Sequence, residues 1–350
     1  MEGIGLYLTS TMVSWASFNE TGIYYAHHFE IPYTDLRTED GINAALGCLA
    51  KELKQETPEE RMLICVSMPY MSIADKCRIQ QAVQKQFSFI SKSLNVRVYS
   101  CASSAAVSKL ACDRGSGENH KLIITNYHHE YEAGICNSGD GVIEMIYTCR
   151  MKAPDDRGIT KDQMREFLYR VIDESKIRNI TRLYLSVNIP EEIREWISSF
   201  FQLTCEILET EAPLYGVTIL SAVATGRIKN ILLLDCIDYA VHCENETVIE
   251  QGTTIPTTSM EKEIIYNSSR PDQCIYFYFV YNRKDETPYK LGISVADIVE
   301  RHSGTVKLKV YISVNNLGDF SFNIQNTLNQ KQKEIGWSVI QNSLRPGNKS

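Results

Sequence analysis

The sequence contains 350 residues, of which 43% are hydrophobic and 23% are charged, and its formal net charge is −7. This length is enough for two or three domains. An acidic surface attracts neither nucleic acid nor an anionic membrane, so we expect neither as a partner. No apolar run is long enough to span a bilayer, and residues 1–5 lack the basic start and apolar middle of a signal peptide.

The cysteines indicate a reducing compartment. There are eleven of them, an odd count, and none forms a Cys-x-x-Cys pair. Four lie within predicted strands, as small buried hydrophobic residues do, namely Cys65, Cys136, Cys205 and Cys274. We therefore predict reduced thiols in a cytosolic or nuclear protein, and take the location to be cytoplasmic.

The first 112 residues predict an alternation of strands and helices. A helix start is marked at Ser72, where Asp75 three residues later completes a capping box. The order is three strands, then helix, strand, helix, strand and helix, at 4–8, 12–18, 23–29, 42–53, 62–66, 72–94, 96–99 and 102–111.

Residues 113–228 repeat that order. Thr160 and Gln163 form a second capping box at the start of a helix. The eight elements are predicted at 122–124, 132–136, 142–147, 160–172, 183–187, 193–200, 205–208 and 214–224. Such an internal duplication predicts two similar α/β lobes, residues 1–112 and 113–228, that face each other across a cleft where ligands commonly bind.

The rest of the chain is rich in predicted strands. Val306–Val314 alternates apolar and polar residues and is followed by a turn and a strand at 320–324. A last strand is predicted at 335–340. These spacings indicate an antiparallel sandwich over 237–344, with a tail at 345–350.

A short apolar segment joins the two regions. Gly226 is a natural helix stop, and the segment 229–236 contains the residues Ile231, Leu232, Leu233, Leu234 and Asp235. The four apolar residues are too few for a helix. Taken alone, the segment fits either a core strand or a docking linker.

Three motifs, together with this element order, resemble one known family. The first motif, in residues 211–222, is an acidic residue followed by Tyr215-Gly216 before a helix. The second, in 230–235, is a leucine run that ends in an acidic residue. The third is the sequence Thr-Thr-Ile-Pro-Thr at 253–257. They resemble the seventy-kilodalton heat-shock chaperones, the DnaK family, collinearly from Gly3 to about Leu344. The chain is identified as a divergent, shortened member.

The resemblance implies a specific architecture. The first region would be a two-lobed, actin-like α/β domain of duplicated, ribonuclease H-like type, lacking the family's outer subdomains. An interdomain linker at 229–236 would lead to an antiparallel β-sandwich of the peptide-binding kind, with no helical lid. We expect Ile231–Leu234 to be buried between the lobe and the sandwich.

The nucleotide motifs of the family are degenerate here. In the family, two hairpins rich in glycine and threonine cradle the ATP phosphates, and their aspartates hold hydrated magnesium. Gly5 and Tyr7 take the places of an aspartate and a glycine, Thr125 replaces the second aspartate, and Tyr127–His129 replaces three glycines. Bulky residues keep backbone N–H groups away from a phosphate, and the magnesium carboxylates are missing. We therefore predict a pseudo-ATPase, not an enzyme, with no cofactor.

Some positions of the nucleotide cleft still match the family. Residual ATP or ADP binding therefore stays an alternative. Cys101–Ser103 takes the place of the family's Glu-Pro-Thr, so a further carboxylate of the cleft is missing. The adjacent histidines His128 and His129 would point to opposite sides of a hairpin, and we therefore predict no metal site there. The vestigial cleft residues are Thr9, Ser10, Thr11, Thr125, Glu132, Ser186, Tyr215 and Gly216.

The resemblance also implies a peptide channel, with Ile264, Tyr266, Ile275 and Phe277 as candidate lining residues. The alternative for 275–281 is a central sandwich strand. The leading functional hypothesis is a non-catalytic chaperone or chaperone cofactor that binds unfolded peptides or docks on a chaperone or ribosome-associated complex. The alternatives are a nucleotide-sensing or slowly hydrolysing chaperone, and a scaffold that binds only proteins.

Overall fold

A computed structural model describes most of the chain, and it divides the protein into two compact units, 1–234 and 235–350. The division falls inside the segment predicted as a linker. The described residues are 2–9, 12–18, 24–30, 38–56, 62–69, 72–88, 95–111, 119–127, 129–153, 158–281, 288–300, 304–316, 318–338 and 340.

Unit 1 is an α/β unit made of two halves with the same order of elements. The first half comprises β1 Glu2–Leu8, β2 Met12–Phe18, β3 Tyr24–Glu30, α1 Glu39–Glu56, β4 Met62–Ser67, α2 Ile73–Phe87, β5 Asn95–Tyr99 and α3 Cys101–Leu110. The second half comprises β6 His120–Tyr127, β7 Glu130–Gly139, β8 Val142–Lys152, α4 Lys161–Ser175, β9 Ile180–Ser186, α5 Glu191–Phe201, β10 Cys205–Leu208 and α6 Ala212–Ala224. The predicted duplication of element order is confirmed.

The two halves also share a strand order. The first sheet runs β3-β2-β1-β4-β5, and the strands of the second half run β8-β7-β6-β9-β10. In each sheet the first three strands form an antiparallel meander, and the last two continue it in parallel. Each half buries its own apolar cluster. The repeat in sequence is therefore a repeat in topology.

Both predicted capping boxes form. The Asp75 N–H donates to Ser72 Oγ at 3.2 Å, and the Ser72 N–H donates to a carboxylate oxygen of Asp75 at 2.9 Å. At α4 the Gln163 N–H donates to Thr160 Oγ1 at 3.3 Å, and the Thr160 N–H donates to Gln163 Oε1 at 2.9 Å. These reciprocal bonds satisfy amides at each helix start that have no intrahelical partner. The part of α2 predicted beyond Ser88 lies outside the described residues.

The apolar segment forms a strand, β11 Leu232–Cys236. Its residues Leu232–Leu234 add to unit 1 in parallel beside Val142–Glu144 of β8. The Leu232 N–H donates to the Gly141 carbonyl oxygen at 2.8 Å. The expectation that Ile231–Leu234 is buried is wrong. Leu232 is 50% exposed, and Ile231, Leu233 and Leu234 are only half-buried.

Unit 2 consists mainly of antiparallel strands. They are β12 Ala240–Cys243, β13 Glu246–Ile249, β14 Thr254–Ile255, β15 Thr257–Asn267, β16 Cys274–Val280, β17 Tyr289–Ser294, β18 Thr305–Val314, β19 Phe320–Asn326 and β20 Gln332–Ile335. Two four-stranded sheets run β13-β12-β16-β17 and β15-β18-β19-β20. Side chains of both sheets meet in one core, where the rings of Phe277 and Phe322 lie 4.5 Å apart.

The prediction of a last strand at 335–340 is wrong. Strand β20 ends at Ile335, which pairs with Phe322. After Gly336 the chain turns helically at Trp337, whose ring packs 5.9 Å from that of Phe320. Apolar residues at this end of the chain therefore cover the core through a turn and not through strand pairing.

Candidate functional site

Helices α3 and α6 cross at very short range where the two halves of unit 1 meet. A Cβ atom on Gly216 would overlap the carbonyl oxygen of Ser104. Gly216 was predicted from the resemblance as a vestigial nucleotide residue. In this structure the absence of its side chain permits the helix crossing.

Helix α6 also packs closely against Gly5, the position that the resemblance aligns with a magnesium-binding aspartate. A Cβ atom on Gly5 of β1 would lie 2.6 Å from the backbone nitrogen of Thr218. One on Gly3 would lie 2.7 Å from the carbonyl oxygen of Ser221. Real Cβ atoms do not approach backbone atoms this closely, so a side chain at position 5 requires α6 to move. An aspartate is excluded at Gly5 by packing.

Tyr7 fills the cleft on the same strand. It is 3% exposed and packs in a cluster with Ala16, Cys101 and Leu214. Its ring meets Tyr127 edge to face, with centroids 6.4 Å apart. Burial raises the pKa of Tyr7 well above its ordinary value, and the neighbouring Cys101 adds to the rise. Tyr7 is therefore a neutral, buried phenol at a position that the resemblance aligns with a glycine.

Glu132 is a buried carboxylate, 5% exposed, and it contacts the start of α3. Its Oε2 accepts hydrogen bonds from the N–H groups of Cys101 at 2.7 Å and Ala102 at 3.2 Å. The positive end of a helix dipole stabilises a carboxylate at this position. Glu132 thus provides an anion to the helix N-terminus, a place where a phosphate otherwise binds favourably.

The Cys101 thiol does not act as a nucleophile in this setting. Burial raises its pKa well above the ordinary value, and the charge of Glu132 raises it further. The Ser67 hydroxyl donates to the sulfur at 3.5 Å. Since the thiolate is the reactive form, a thiol with a raised pKa is inert at neutral pH.

Thr9 is engaged by its own hairpin. Its hydroxyl donates to the Met12 carbonyl oxygen at 2.9 Å and accepts from the Met12 N–H at 3.0 Å. Thr9 is 1% exposed. These bonds close the β1–β2 turn, so its hydroxyl is committed to the fold. Ser10 and Thr11, predicted with it, lie outside the described residues.

The second hairpin is tied to the loop after β9. The Asn188 N–H donates to Ser186 Oγ at 3.2 Å, and its side-chain amide donates to the Asn126 carbonyl oxygen at 3.1 Å. The Thr210 hydroxyl donates to the Asn188 side-chain oxygen at 3.2 Å. Thr125 is buried next to this link. His128 lies outside the described residues. Asn188 thus links the second hairpin to the loop after β9 and to Thr210.

Tyr215 is half-buried at the first turn of α6. Its hydroxyl donates to a carboxylate oxygen of Glu211 at 3.5 Å. Partial burial raises its pKa, with further contributions from Glu211 and Glu209. Thr9, Thr125, Glu132, Ser186, Tyr215 and Gly216 all lie in unit 1. Thr125 is buried, and each of the others makes the intramolecular contact described above.

The candidate peptide-binding residues lie in the core of unit 2. Ile264, Tyr266, Ile275 and Phe277 are each at most 3% exposed. Strand β16, which carries the last two, is central in its sheet and alternates buried with half-buried residues. The central-strand alternative describes this segment, and a peptide could reach these four side chains only if the core opened.

Sequence reasoning missed the residues that close the cleft from α6. Leu214 packs on Tyr7, and Thr218 approaches Gly5, with its hydroxyl donating to the Leu214 carbonyl oxygen at 2.8 Å. A signal for this packing exists in the sequence. Residues 102–106 of α3 read Ala-Ser-Ser-Ala-Ala, and a run of small residues permits a close helix approach.

No protein-family model matches this chain, and no curated protein matches its sequence significantly. Among the described residues, no group of three or more His, Cys, Asp or Glu side chains could hold a metal ion. The described helices also include none with the length and apolarity needed to cross a membrane.

Proposed function

We propose that this chain is a divergent relative of the seventy-kilodalton heat-shock chaperones whose actin-like unit is a pseudo-ATPase. Two features support the relationship. The halves of unit 1 share one element order and one strand order, and the linker-like run and Thr-Thr-Ile-Pro-Thr motif occur in the family's sequence order. The family relationship remains a proposal carried by these motifs and this topology.

The pseudo-ATPase part of the proposal rests on the packing around Tyr7. Tyr7 packs against Cys101 and Leu214, where a nucleotide phosphate would need glycine backbone. Phosphoryl transfer depends on positioning the phosphates and neutralising their charge. A neutral phenol and a neutral thiol do neither. The unit is then a rigid scaffold and has no cofactor.

The biological role that fits is non-catalytic binding of other polypeptides in the cytoplasm. The chain would hold unfolded segments or dock on a chaperone or ribosome-associated complex. The linker strand is paired with β8. Without a nucleotide cycle to change that pairing, we expect peptide binding to be fast, weak and insensitive to ATP.

Two measurements on the full chain test this role. Anisotropy of a fluorescent, unstructured hydrophobic peptide reports binding, with and without ATP and magnesium, while release of inorganic phosphate reports hydrolysis. We expect peptide binding unchanged by ATP, and phosphate release no faster than in buffer. Phosphate release above that rate, or peptide affinity altered by ATP, would support the nucleotide-sensing chaperone instead.

A scaffold that binds folded proteins is the second candidate. It is favoured by the complete burial of Tyr266, Ile275 and Phe277, which leaves the predicted peptide channel without an exposed lining. The same anisotropy measurement separates the two roles. Absence of peptide binding at any concentration, together with absence of ATP binding, would select the scaffold.

A further inference from the structure

The second sheet of unit 1 ends in an edge strand, β10. It is the terminal strand of its sheet, and among the described strands it pairs only with β9. The Val187 N–H donates to the Leu208 carbonyl oxygen at 2.8 Å, so Leu208 directs its backbone groups to β9. Because the backbone groups of successive residues alternate between the two sides of a strand, those of Cys205 and Ile207 point to the open edge. Such edge groups are a template for another strand.

A groove lies beside this edge, between β10 and helix α5. Its volume is about 660 Å³, within the range of about 300–1,000 Å³ that is common for binding pockets. Cys205 and Ile207 line it from the strand, and Arg194 and Glu195 line it from the helix. Ile207 is 42% exposed. Every residue from 158 to 281 is described, so both walls and their chain neighbours are defined. The groove can therefore accept side chains of a strand that pairs with β10.

The carboxylates at this edge are available for a ligand. Glu191 and Glu195 line the groove from α5, and Glu206 is exposed on β10. None of these three carboxylates forms an ion pair with a described residue. Arg194, the basic residue of the lining, donates to the Val187 carbonyl oxygen at 3.2 Å. The negative charge at the edge therefore exceeds the positive charge, which favours a basic ligand.

A second copy of this chain fits the edge poorly. If Cys205 of one copy paired with Ile207 of the other in an antiparallel arrangement, the two Glu206 side chains would lie directly opposite each other. Like charges at opposite positions destabilise a strand pair. A lysine or arginine opposite Glu206 would be attracted instead. The charges thus favour a basic strand from a different polypeptide.

We propose that β10 pairs with an extended, basic segment of a partner polypeptide. The segment hydrogen-bonds to the backbone of Cys205 and Ile207, which adds a strand to the sheet. A basic side chain on the helix side packs its apolar stem on Ile207 and places its charge beside Glu195. This inference goes beyond the proposed function, since the site lies in unit 1 and needs neither the core of unit 2 nor a nucleotide.

The test is a titration of the perdeuterated full chain followed by ¹H–¹⁵N NMR. The probe is the peptide acetyl-Lys-Thr-Lys-Thr-Lys-Thr-Lys-amide. One control peptide has glutamate in place of lysine, and the other is the lysine peptide N-methylated at every residue, which keeps the charge and lacks N–H donors. We expect saturable shifts of the Cys205 and Ile207 amides with the probe, and hydrogen exchange at Ile207 slower by about tenfold or more. Both control peptides should bind at least about tenfold more weakly.

Substitutions in the protein locate the contact. Ile207→Pro removes an outward N–H, a change that an edge strand tolerates, and should weaken probe binding about fivefold or more. The matched control, Ile207→Thr, keeps the N–H and should change the affinity by about twofold or less. The double variant Glu195→Gln with Glu206→Gln should weaken binding about threefold or more. Glu166→Gln, at an exposed position of α4, should leave the affinity unchanged.

Equal affinity for the lysine peptide and its N-methylated form would overturn the proposal, because charge alone would then explain the binding. Binding of the probe without a change at the Ile207 amide would also overturn it. Protection of that amide at high protein concentration without peptide would show that a second copy occupies the edge, against the proposal. None of these outcomes involves ATP or the hydrophobic peptide, so failure of this site is distinguishable from failure of the proposed function.

Discussion

Gly5 on β1 and Thr218 on α6 approach so closely that a Cβ atom at Gly5 would lie 2.6 Å from the Thr218 backbone nitrogen. The space beside Gly5 is thus occupied by a helix backbone. Tyr7, two residues along the same strand, faces Cys101 and Leu214 in a buried cluster. Packing between the halves of unit 1 therefore fills the space beside both residues.

Introducing an aspartate at position 5 should therefore destabilise the protein. We expect Gly5→Asp to lower the free energy of unfolding by about 3 kcal/mol or more, because it overpacks the α6 contact and buries a carboxylate. Urea denaturation measures this change. In the matched control, Gly47→Asp, a Cβ atom has no neighbour within 4 Å, so the change should stay within about 1 kcal/mol. A stable Gly5→Asp protein that binds magnesium would contradict the account.

Removing the side chain that fills the cleft should also be costly. Tyr7→Ala should destabilise the protein by about 3–5 kcal/mol, as expected for a fully buried aromatic residue. Tyr169 is 51% exposed, so Tyr169→Ala should cost about 1 kcal/mol or less. Both values come from denaturant unfolding. Similar, small effects for the two variants would show that Tyr7 is not a structural residue.

Alkaline pH should destabilise unit 1 through buried acids. Burial raises the pKa of Cys65 from 9.0 to about 12, although Arg97 opposes the rise, and burial raises the pKa of Tyr131 from 10.0 to about 12. Below pH 9 both groups are protonated in the folded and the unfolded chain. Above pH 9 the unfolded chain loses the Cys65 proton first, so stability falls by about 1.4 kcal/mol per pH unit for that group.

Chemical unfolding at pH 9 and pH 10 checks this slope. Cys65→Ala should make the loss of stability between the two values smaller. The matched control is Cys205→Ala, at a half-buried position on β10, which should keep the wild-type slope. A wild-type slope in Cys65→Ala would mean that this thiol makes no contribution.

The linker strand should depend on Gly141. A Cβ atom there would overlap the Asn230 carbonyl oxygen, and its φ is +82°. Gly158 has a similar φ of +86° but no neighbour within 4 Å. Gly141→Ala should therefore abolish hydrogen-exchange protection at Leu232–Leu234, while Gly158→Ala, which carries the same backbone strain, should preserve it. Equal protection in both variants would show that the Gly141 contact does not hold β11 on β8.

The sequence predicted much of the fold because local patterns determine it. Periodicity located the elements of both halves of unit 1, and Ser72 and Thr160 marked two helix starts through capping boxes that form. Alternation in 306–314 predicted a half-buried strand, which is β18. Each of these signals lies within one element and needs no partner from elsewhere in the chain.

The site was harder to predict because its geometry is tertiary. The motif containing Gly216 is local, yet its role depends on Ser104, which is more than a hundred residues away. The swaps at Gly5 and Tyr7 predicted loss of function, but not that α6 fills the space. The run 275–281 is apolar on both faces, a pattern that suits either a channel or a core. Only the contact of Phe277 with Phe322 on the second sheet shows that this strand belongs to the core.

The central claim is tested most directly by isothermal titration calorimetry of ATP with magnesium into the purified full chain. The account predicts no binding heat, because Tyr7, Cys101 and Leu214 fill the cleft and α6 closes the space at Gly5. Saturable binding with a dissociation constant in the micromolar range would contradict it. Tyr7 and α6 would then have to move to admit a triphosphate, and the pseudo-ATPase proposal would be wrong.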